Sequence, residues 1–273
     1  MRRIWLLVIF FISTLIINSL VLERYFVRFP EIEFVSEKIP PEFDGYKIAV
    51  ISDLHYGFLD PLFWVKNVIH SVNEKNPDLI VGLGDYVKKK KSKTELSIVW
   101  KELKKLKAKD GVLLVNGNHD HWADHEYSLK LLEESGYSLR YKSKIIHRKK
   151  DKIQFVGVGD YWEDNLGLNK ILSESQKDIF TVLLSHNPDF SEEGHDQKVD
   201  LFLTGHTHGG QFRIPLIDYS PVVPIKNKKL DKGMKVNKFG ENVFISAGIG
   251  WSIIPIRFNC PAEVPIIILR LKK

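Results

Sequence analysis

The chain has 273 residues, a formal net charge of +6 and one cysteine. That length holds one large domain or two small ones, and 44% hydrophobic with 27% charged residues is ordinary for a globular protein. Cys260 alone excludes an internal disulfide and a cysteine-based zinc site, so any metal must be held by His, Asp, Asn or Glu.

After Met1-Arg2-Arg3, the run Ile4 to Leu22 carries no charge. As a helix it spans about 28 Å, close to the hydrocarbon core of a bilayer. No Ala-x-Ala-like cleavage site precedes Glu23-Arg24-Tyr25, and no amphipathic face marks a soluble core helix. Residues 1–23 are therefore read as an uncleaved, single-pass membrane anchor. Arg2 and Arg3 lie before it and Arg24, Arg28 and Lys38 after it, so the positive-inside rule gives a near tie for orientation. Residues 24–45 read as a connector, in which Glu31 to Val35 alternates like an edge strand until Pro40-Pro41 breaks it.

From residue 46 to 273 the chain reads as the main domain. Short apolar runs end repeatedly in polar residues. Lys47 to Ile51 leads to Asp53-Leu54-His55, and Asp78 to Val81 leads to Gly84-Asp85. Val112 to Val115 leads to Asn118-His119-Asp120, and Phe180 to Leu184 leads to His186. Val199 to Leu203 leads to Gly205-His206-Thr207-His208-Gly209-Gly210, while Ile153 to Val158 ends in Gly159-Asp160. Such runs suit strands buried on both faces. Helical spacing joins Val65, Val68, Ile69 and Val72, and again Leu96, Val99, Trp100, Leu103 and Leu106. Tyr127 to Glu134 reads as a third helix stopped by Gly136. Alternating strands and helices imply α/β architecture, with the polar strand ends gathered in one crevice. Beyond Gly210 the helical period is lost. Val243 to Ser246, Ile253 to Arg257 and Val264 to Leu269 read as closing strands, and Pro215 to Leu230 as a loop.

One Asp at a strand end is ordinarily a turn or cap residue, and one His a satisfied group. Asp53, His55, Asp85, Asn118, His119, His186, His206 and His208 on five strand ends are hard to explain as caps. Together they read as a two-metal site of nitrogen and oxygen ligands. Metals roughly 3.5–4 Å apart lower the pKa of a shared water, so a nucleophile exists near neutral pH, and clamp phosphoryl oxygens. His-x-His in extended backbone turns both rings to one face.

Asp53-x-His55, Gly84-Asp85, Gly117-Asn118-His119-Asp120, His186 and Gly205-His206-x-His208 resemble, in order, the motifs of the calcineurin-like metallophosphoesterases. Ile254 to Glu263 looks like the membrane-anchored bacterial phosphodiesterase branch of that family. The resemblance implies a β-sandwich flanked by helices in four α/β/β/α layers, rather than one doubly wound sheet. It implies two divalent ions, manganese first, with iron, zinc or cobalt also suited to the mixed ligands. Asp53, His55 and His208 would hold one ion, Asn118, His186 and His206 the other, and Asp85 would bridge them. His119 would stabilise the transition state and help protonate the leaving oxygen, oriented by Asp120.

The implied function is membrane-anchored hydrolysis of a phosphodiester or pyrophosphate, with UDP-2,3-diacylglucosamine of lipid A synthesis as the named substrate. The domain would then face the cytoplasm, where nucleotide sugars are found. The alternatives are a broad extracytoplasmic phosphodiesterase or phosphatase, and a non-catalytic metal-binding scaffold that would be expected to lose His119 or several ligands. The bilayer and a phosphorylated small or lipid-linked substrate are the expected partners, nucleic acid is not, and no oligomeric state is implied.

Many relatives continue Gly-Asp with a second acid, where this chain has Tyr86-Val87 and then Lys88 to Lys91. That run is a solvated loop or a basic lip for anionic headgroups, in which Lys88 and Lys89 would touch substrate. Arg257 either clamps a substrate phosphate or pairs with Glu263. Phe58, Leu62 and Trp64 pack the core or form an apolar rim. His121 reads as a spare surface group or a substrate contact, and His70, His125, His147 and His195 as surface groups. Gly209-Gly210 are expected to leave room for phosphate.

Overall fold

The computed structural model describes residues 1–164 and 168–273. Two mixed sheets lie face to face with helices outside, which is the four-layer arrangement expected. The first sheet runs β1 (Glu31–Ser36), β11 (Ile266–Leu271), β2 (Lys47–Ile51), β3 (Leu79–Gly82), β4 (Val112–Leu114). The second runs β5 (Lys142–Arg148), β6 (Asp151–Gly157), β7 (Thr181–Leu184), β8 (Leu201–Thr204), β10 (Asn242–Ile245), β9 (Gly233–Val236).

Alternation along each strand decides which layer a side chain joins. Ile48 and Val50 of β2 face Val182 and Leu184 of β7 in the core between the sheets. Ala49 and Ile51 point outward, where α3 (Leu62–Glu74), α4 (Lys93–Leu103) and α5 (Asn118–Glu134) cover the first sheet. Leu183 and Phe202 face α6 (Leu168–Ser173) on the outer side of the second sheet. Both faces of these strands are buried, which explains their continuous apolar runs.

Parallel pairing of β2 with β3, β3 with β4 and β7 with β8 brings the C-terminal strand ends to one side. The connector's expected edge strand is β1, parallel to β11 at the sheet's margin. Ser92 caps α4 by accepting the Glu95 N–H. The third helix starts earlier than its apolar period, at Asn118. It breaks at Asp124, whose Oδ1 accepts the Tyr127 N–H and caps the segment that the periodicity predicts.

Ile253 to Arg257 is not a strand. Pro255 withholds a backbone donor, and Ile253 and Ile254 stand exposed. β5, α6 and β9 carry too few periodic apolar residues to be read from sequence.

The N-terminal helix α1 (Arg2–Ile17) passes through a wide turn, Asn18–Leu22, into α2 (Glu23–Tyr25). Arg2 to Tyr25 is long and apolar enough to cross a membrane and is 6% buried over its most hydrophobic window. Its end is socketed in the domain. Arg24, itself buried, pairs with Asp60 at 3.2 Å, and Tyr25 Oη donates to the Leu59 carbonyl at 2.7 Å. The Ala262 N–H donates to the Glu23 carbonyl at 2.7 Å and the Arg257 N–H to the Ser19 carbonyl at 3.0 Å.

Candidate active site

Asp53, His55, Asp85, His206 and His208 all have left-handed backbones, with φ of 53°, 47°, 56°, 67° and 52°. Such conformations are uncommon outside glycine and cluster where the surrounding fold over-determines them. Cross-strand bonds do so here. The Asp53 N–H donates to the Gly84 carbonyl and the His55 N–H to the Asp85 carbonyl, each at 3.0 Å. Gly84 is required by its own φ of +97°, and by Gly117, whose nitrogen would lie 2.2 Å from an added Cβ. His206 and His208 therefore do not share one face as extended residues would. The left-handed turns send their rings to different neighbours.

His208 Nε2 lies 3.1 Å from His55 Nε2 and 3.3 Å from Asp53 Oδ1. The other Asp53 oxygen accepts from Ser52 Oγ and the His206 N–H, while Oδ1 is buried without a hydrogen-bond partner. On the other side, His186 Nε2 lies 3.1 Å from His206 Nδ1 and 3.2 Å from Asn118 Oδ1. His186 Nδ1 donates to the Leu83 carbonyl at 2.8 Å, which turns Nε2 toward Asp85. Burial opposes the charge of this imidazole, but the Asp85 carboxylate outweighs it and raises the pKa to about 10. Asp85 joins the groups. Its Oδ1 accepts the His119 N–H at 2.7 Å, and its Oδ2 lies 3.5 Å from His55 Nε2 and 3.3 Å from His186 Nε2.

Burial pushes His55 and His208 well below the ordinary imidazole range and His206 down to about 3, so these rings are neutral lone-pair donors. Burial also opposes the charge of Asp85, but His186 and His119 outweigh it and hold the carboxyl well below its usual range. Converging acceptors, one of them orphaned, with a carboxylate between them are a donor set for cations. The clustered histidines and aspartates suit a dinuclear divalent site.

Above this site opens a cleft of ≈ 620 Å³. His119 lines it, with its ring 4.6 Å from His55 centroid to centroid. Lys88 lines it too, with Nζ bonded to the Ser252 carbonyl and lying over the Trp251 ring at 4.5 Å. Much of the remaining lining is apolar. Trp122 stacks on Trp162, whose ring meets His206 edge-on at 4.5 Å, and Phe212, Val222, Ile253 and Ile254 complete it. Motif reading missed these residues, because single aromatic and aliphatic side chains in loops carry no spacing signal.

A search against family models matches residues 46–210 to the calcineurin-like phosphoesterase family. The chain belongs to that family. Among its relatives, the metallophosphoesterase YkuE of Bacillus subtilis is 32% identical over 253 residues, covering 91% of this chain and 87% of that one. Phosphodiesterase YaeI of Escherichia coli is 33% identical over 227 residues, 81% of each chain. UDP-2,3-diacylglucosamine pyrophosphatase LpxG of Chlamydia trachomatis is 24% identical, over 81% of this chain and 82% of its own length. The matched span contains the clustered histidines and aspartates, and the chain is a metal-dependent phosphoester hydrolase.

Several expected roles change. Asp120 does not orient His119. Its carboxylate accepts the N–H groups of Gly117, Asp85 and Tyr86 at 2.8–3.0 Å, while His119 Nδ1 donates to the Lys88 carbonyl at 2.9 Å. Arg257 neither reaches substrate nor pairs with Glu263. It is fully buried, and its nitrogens donate to the carbonyls of Ala247, Gly248, Gly250 and Cys260. Lys89 is exposed and stands outside the cleft lining, with its N–H on Glu95.

Gly209 and Gly210 are required by internal packing, and Gly210 also lines the cleft. Added Cβ atoms would lie 2.7 Å from Cys260 Sγ and 1.8 Å from Ser220 Oγ. His121 is buried, with Nδ1 2.9 Å from His125 Nδ1 and Nε2 3.7 Å from Asp164. The His195 imidazole is enclosed, 3.0 Å from Glu241. Trp64 packs in the core, whereas Phe58 is 95% exposed.

Proposed function

We propose that this chain is a membrane-anchored, two-metal phosphodiesterase or pyrophosphatase acting on a lipid-linked substrate, with UDP-2,3-diacylglucosamine as the named candidate and the domain on the cytoplasmic side. The supporting observation is that one cleft is lined both by the clustered polar residues Asp85, Asn118, His119, His206 and His208 and by the apolar Trp122, Trp162, Phe212, Val222, Ile253 and Ile254. One surface then holds a charged phosphoryl group and the other an acyl chain. LpxG, which carries that substrate in its name, and the apolar helix Arg2 to Tyr25 support the same reading.

In this reading Asp53, His55 and His208 would hold one ion, and Asn118, His186 and His206 would hold the other. Asp85, whose Oδ2 lies 3.5 Å from His55 Nε2 and 3.3 Å from His186 Nε2, would serve both. When bound, the ions supply an activated water and clamp the phosphoryl oxygens. His119 keeps its Nδ1 proton on the Lys88 carbonyl, so its Nε2 is the atom that stabilises charge and delivers a proton to the leaving oxygen. Lys88, half-buried at the same edge, adds positive charge near the phosphate. Apolar walls limit water at the reacting centre.

The test is full-length protein in detergent, loaded with manganese and offered an aryl phosphodiester and then UDP-2,3-diacylglucosamine with products identified by mass. Cleavage of the lipid to a lipid monophosphate and UMP is expected. Aryl diester turnover with intact lipid substrate retires the named substrate, and no turnover of either retires the two-metal hydrolase.

A further inference from the structure

The loop after the second histidine motif presents its apolar residues outward. Leu216 is fully exposed, and Ile217, Tyr219 and Val222 are 53–65% exposed. Solubility alone would place polar residues at such a tip. The tip is also held in shape. Leu216 has φ of 73°, a costly conformation for a large side chain. Its base is pinned by Arg213, which is buried and pairs with Asp218 at 2.6 Å and Asp231 at 2.8 Å. Ile214 N–H closes the turn on the Tyr219 carbonyl at 2.9 Å. Ordering a strained loop in order to display leucine and isoleucine has a physical rationale only if an apolar phase receives them.

The surrounding structure says which phase. Phe212 stacks on Phe258 at 5.2 Å, and Gln211 Nε2 donates to the carbonyls of Ile254 and Ile256. The exposed Ile253 and Ile254 are thereby fixed beside the tip. One residue from Phe258, the Arg257 N–H bonds Ser19 at the foot of the apolar N-terminal helix, and the Cys260 N–H bonds the Glu23 carboxylate at 2.9 Å. Tip, neighbouring loop and helix foot form one hydrogen-bonded unit at the mouth of the cleft. Lys229 follows the tip closely in sequence and is exposed, as suits a surface meeting anionic headgroups, while the Lys226 and Lys228 ammonium groups bond Tyr161 Oη and the Val223 carbonyl.

We propose that residues 214–222 with Ile253 and Ile254 form a lip seated in the bilayer beside the anchor, so that the cleft opens onto lipid and takes its substrate laterally from the membrane. The inference rests on the anchored reading above and adds the surface that delivers the substrate. It makes the N-terminal helix a fixed strut rather than a flexible tether, because its foot is bonded to the same loops that form the lip.

Cys260 is fully buried, so a thiol placed elsewhere can be labelled selectively. Full-length Leu216→Cys, and Lys104→Cys on the helical layer as a reference, are labelled with a polarity-sensitive fluorophore. Both are reconstituted in phosphatidylcholine and phosphatidylglycerol vesicles. Label at position 216 is expected to shift to the blue and to be quenched by lipid bearing a nitroxide on its acyl chain, while label at 104 stays water-like. Protein released from vesicles by alkaline carbonate overturns the anchored reading. Protein retained with a water-like, unquenched label at 216 overturns the lip alone.

A second arm uses the double variant Leu216→Asp, Ile217→Asp, whose positions lie outside the cleft lining. It should cleave a soluble aryl phosphodiester at the parental rate and lose about tenfold or more against a diacylated phosphodiester in vesicles, since charge at membrane depth is strongly disfavoured. Equal loss on both substrates would mean that the tip only supports the fold, and would overturn the proposal.

Discussion

His119 Nδ1 donates to the carbonyl of Lys88 at 2.9 Å, so the ring is oriented by the backbone of the lysine loop. The histidine proposed to act on the leaving oxygen thus depends on where residues 88–91 run, and the side chain of Asp120 is left for another task. His119→Ala is expected to retain two ions by elemental analysis. It should lose about 10²–10⁴-fold in turnover, the range for one general acid. The loss should shrink as the leaving group becomes more acidic. A variant that drops a metal instead would make His119 a ligand.

Asp120 collects three backbone N–H groups and so ties the loop after β3 to the start of α5. Asp120→Asn replaces an acceptor oxygen with a donor facing donors. Stability should fall by about 1–3 kcal/mol, read as a lower melting temperature. The folded fraction should keep the parental dependence on leaving-group pKa. A changed dependence would return Asp120 to the proton-transfer chain.

Asp85 Oδ2 lies within 3.5 Å of both His55 Nε2 and His186 Nε2, whereas His208 groups only with Asp53 and His55. His208→Ala should therefore leave one ion per chain and Asp85→Asn should weaken both. Affinity losses above about 100-fold are expected, since even outer-shell partners reach that figure. Titration with manganese, followed by dialysis and metal counting, separates the two patterns. Identical stoichiometry in both variants would refute the shared carboxylate.

Arg257 shows where sequence reading stops. A basic residue in sequence reach of a phosphate site invites a substrate role, yet its guanidinium is spent on the carbonyls of Ala247, Gly248, Gly250 and Cys260. The ligand set was legible because each polar motif follows an apolar strand run, and parallel pairing must bring such ends together. Two sheets rather than one followed only from family resemblance, since both sheet arrangements bury the same runs. The lip and the aromatic wall were not legible. Exposed Leu216 and Ile253 look the same in sequence as core residues, and only backbone geometry turns them outward.

Arg257→Met, which preserves volume but leaves those carbonyls unpaired, should cost about 3 kcal/mol or more. It should leave KM for a soluble aryl diester unchanged in whatever folds. A raised KM at parental stability would restore the phosphate clamp.

The enclosed pair His195–Glu241 lies away from the metal cluster and carries its own pH signature. Burial opposes the charge of His195, but the Glu241 carboxylate and the Glu193 carbonyl outweigh it and raise its pKa above the ordinary 6.5. Burial likewise opposes Glu241, and His195 with Asn237 and the Val199 N–H lowers it below 4.5. A raised histidine stabilises fully below its unfolded value and loses that contribution as pH climbs through the folded one. A lowered glutamate contributes above its unfolded value and loses it as pH falls through the folded one. Their shared contribution is therefore largest between about pH 4.5 and 6.5. His195→Gln keeps a donor toward Glu241 without the charge. Its melting temperature should trail the parent most near pH 6 and converge with it as pH rises past 8. A gap that stays constant across that range would mean that the pair contributes by shape and hydrogen bonding alone.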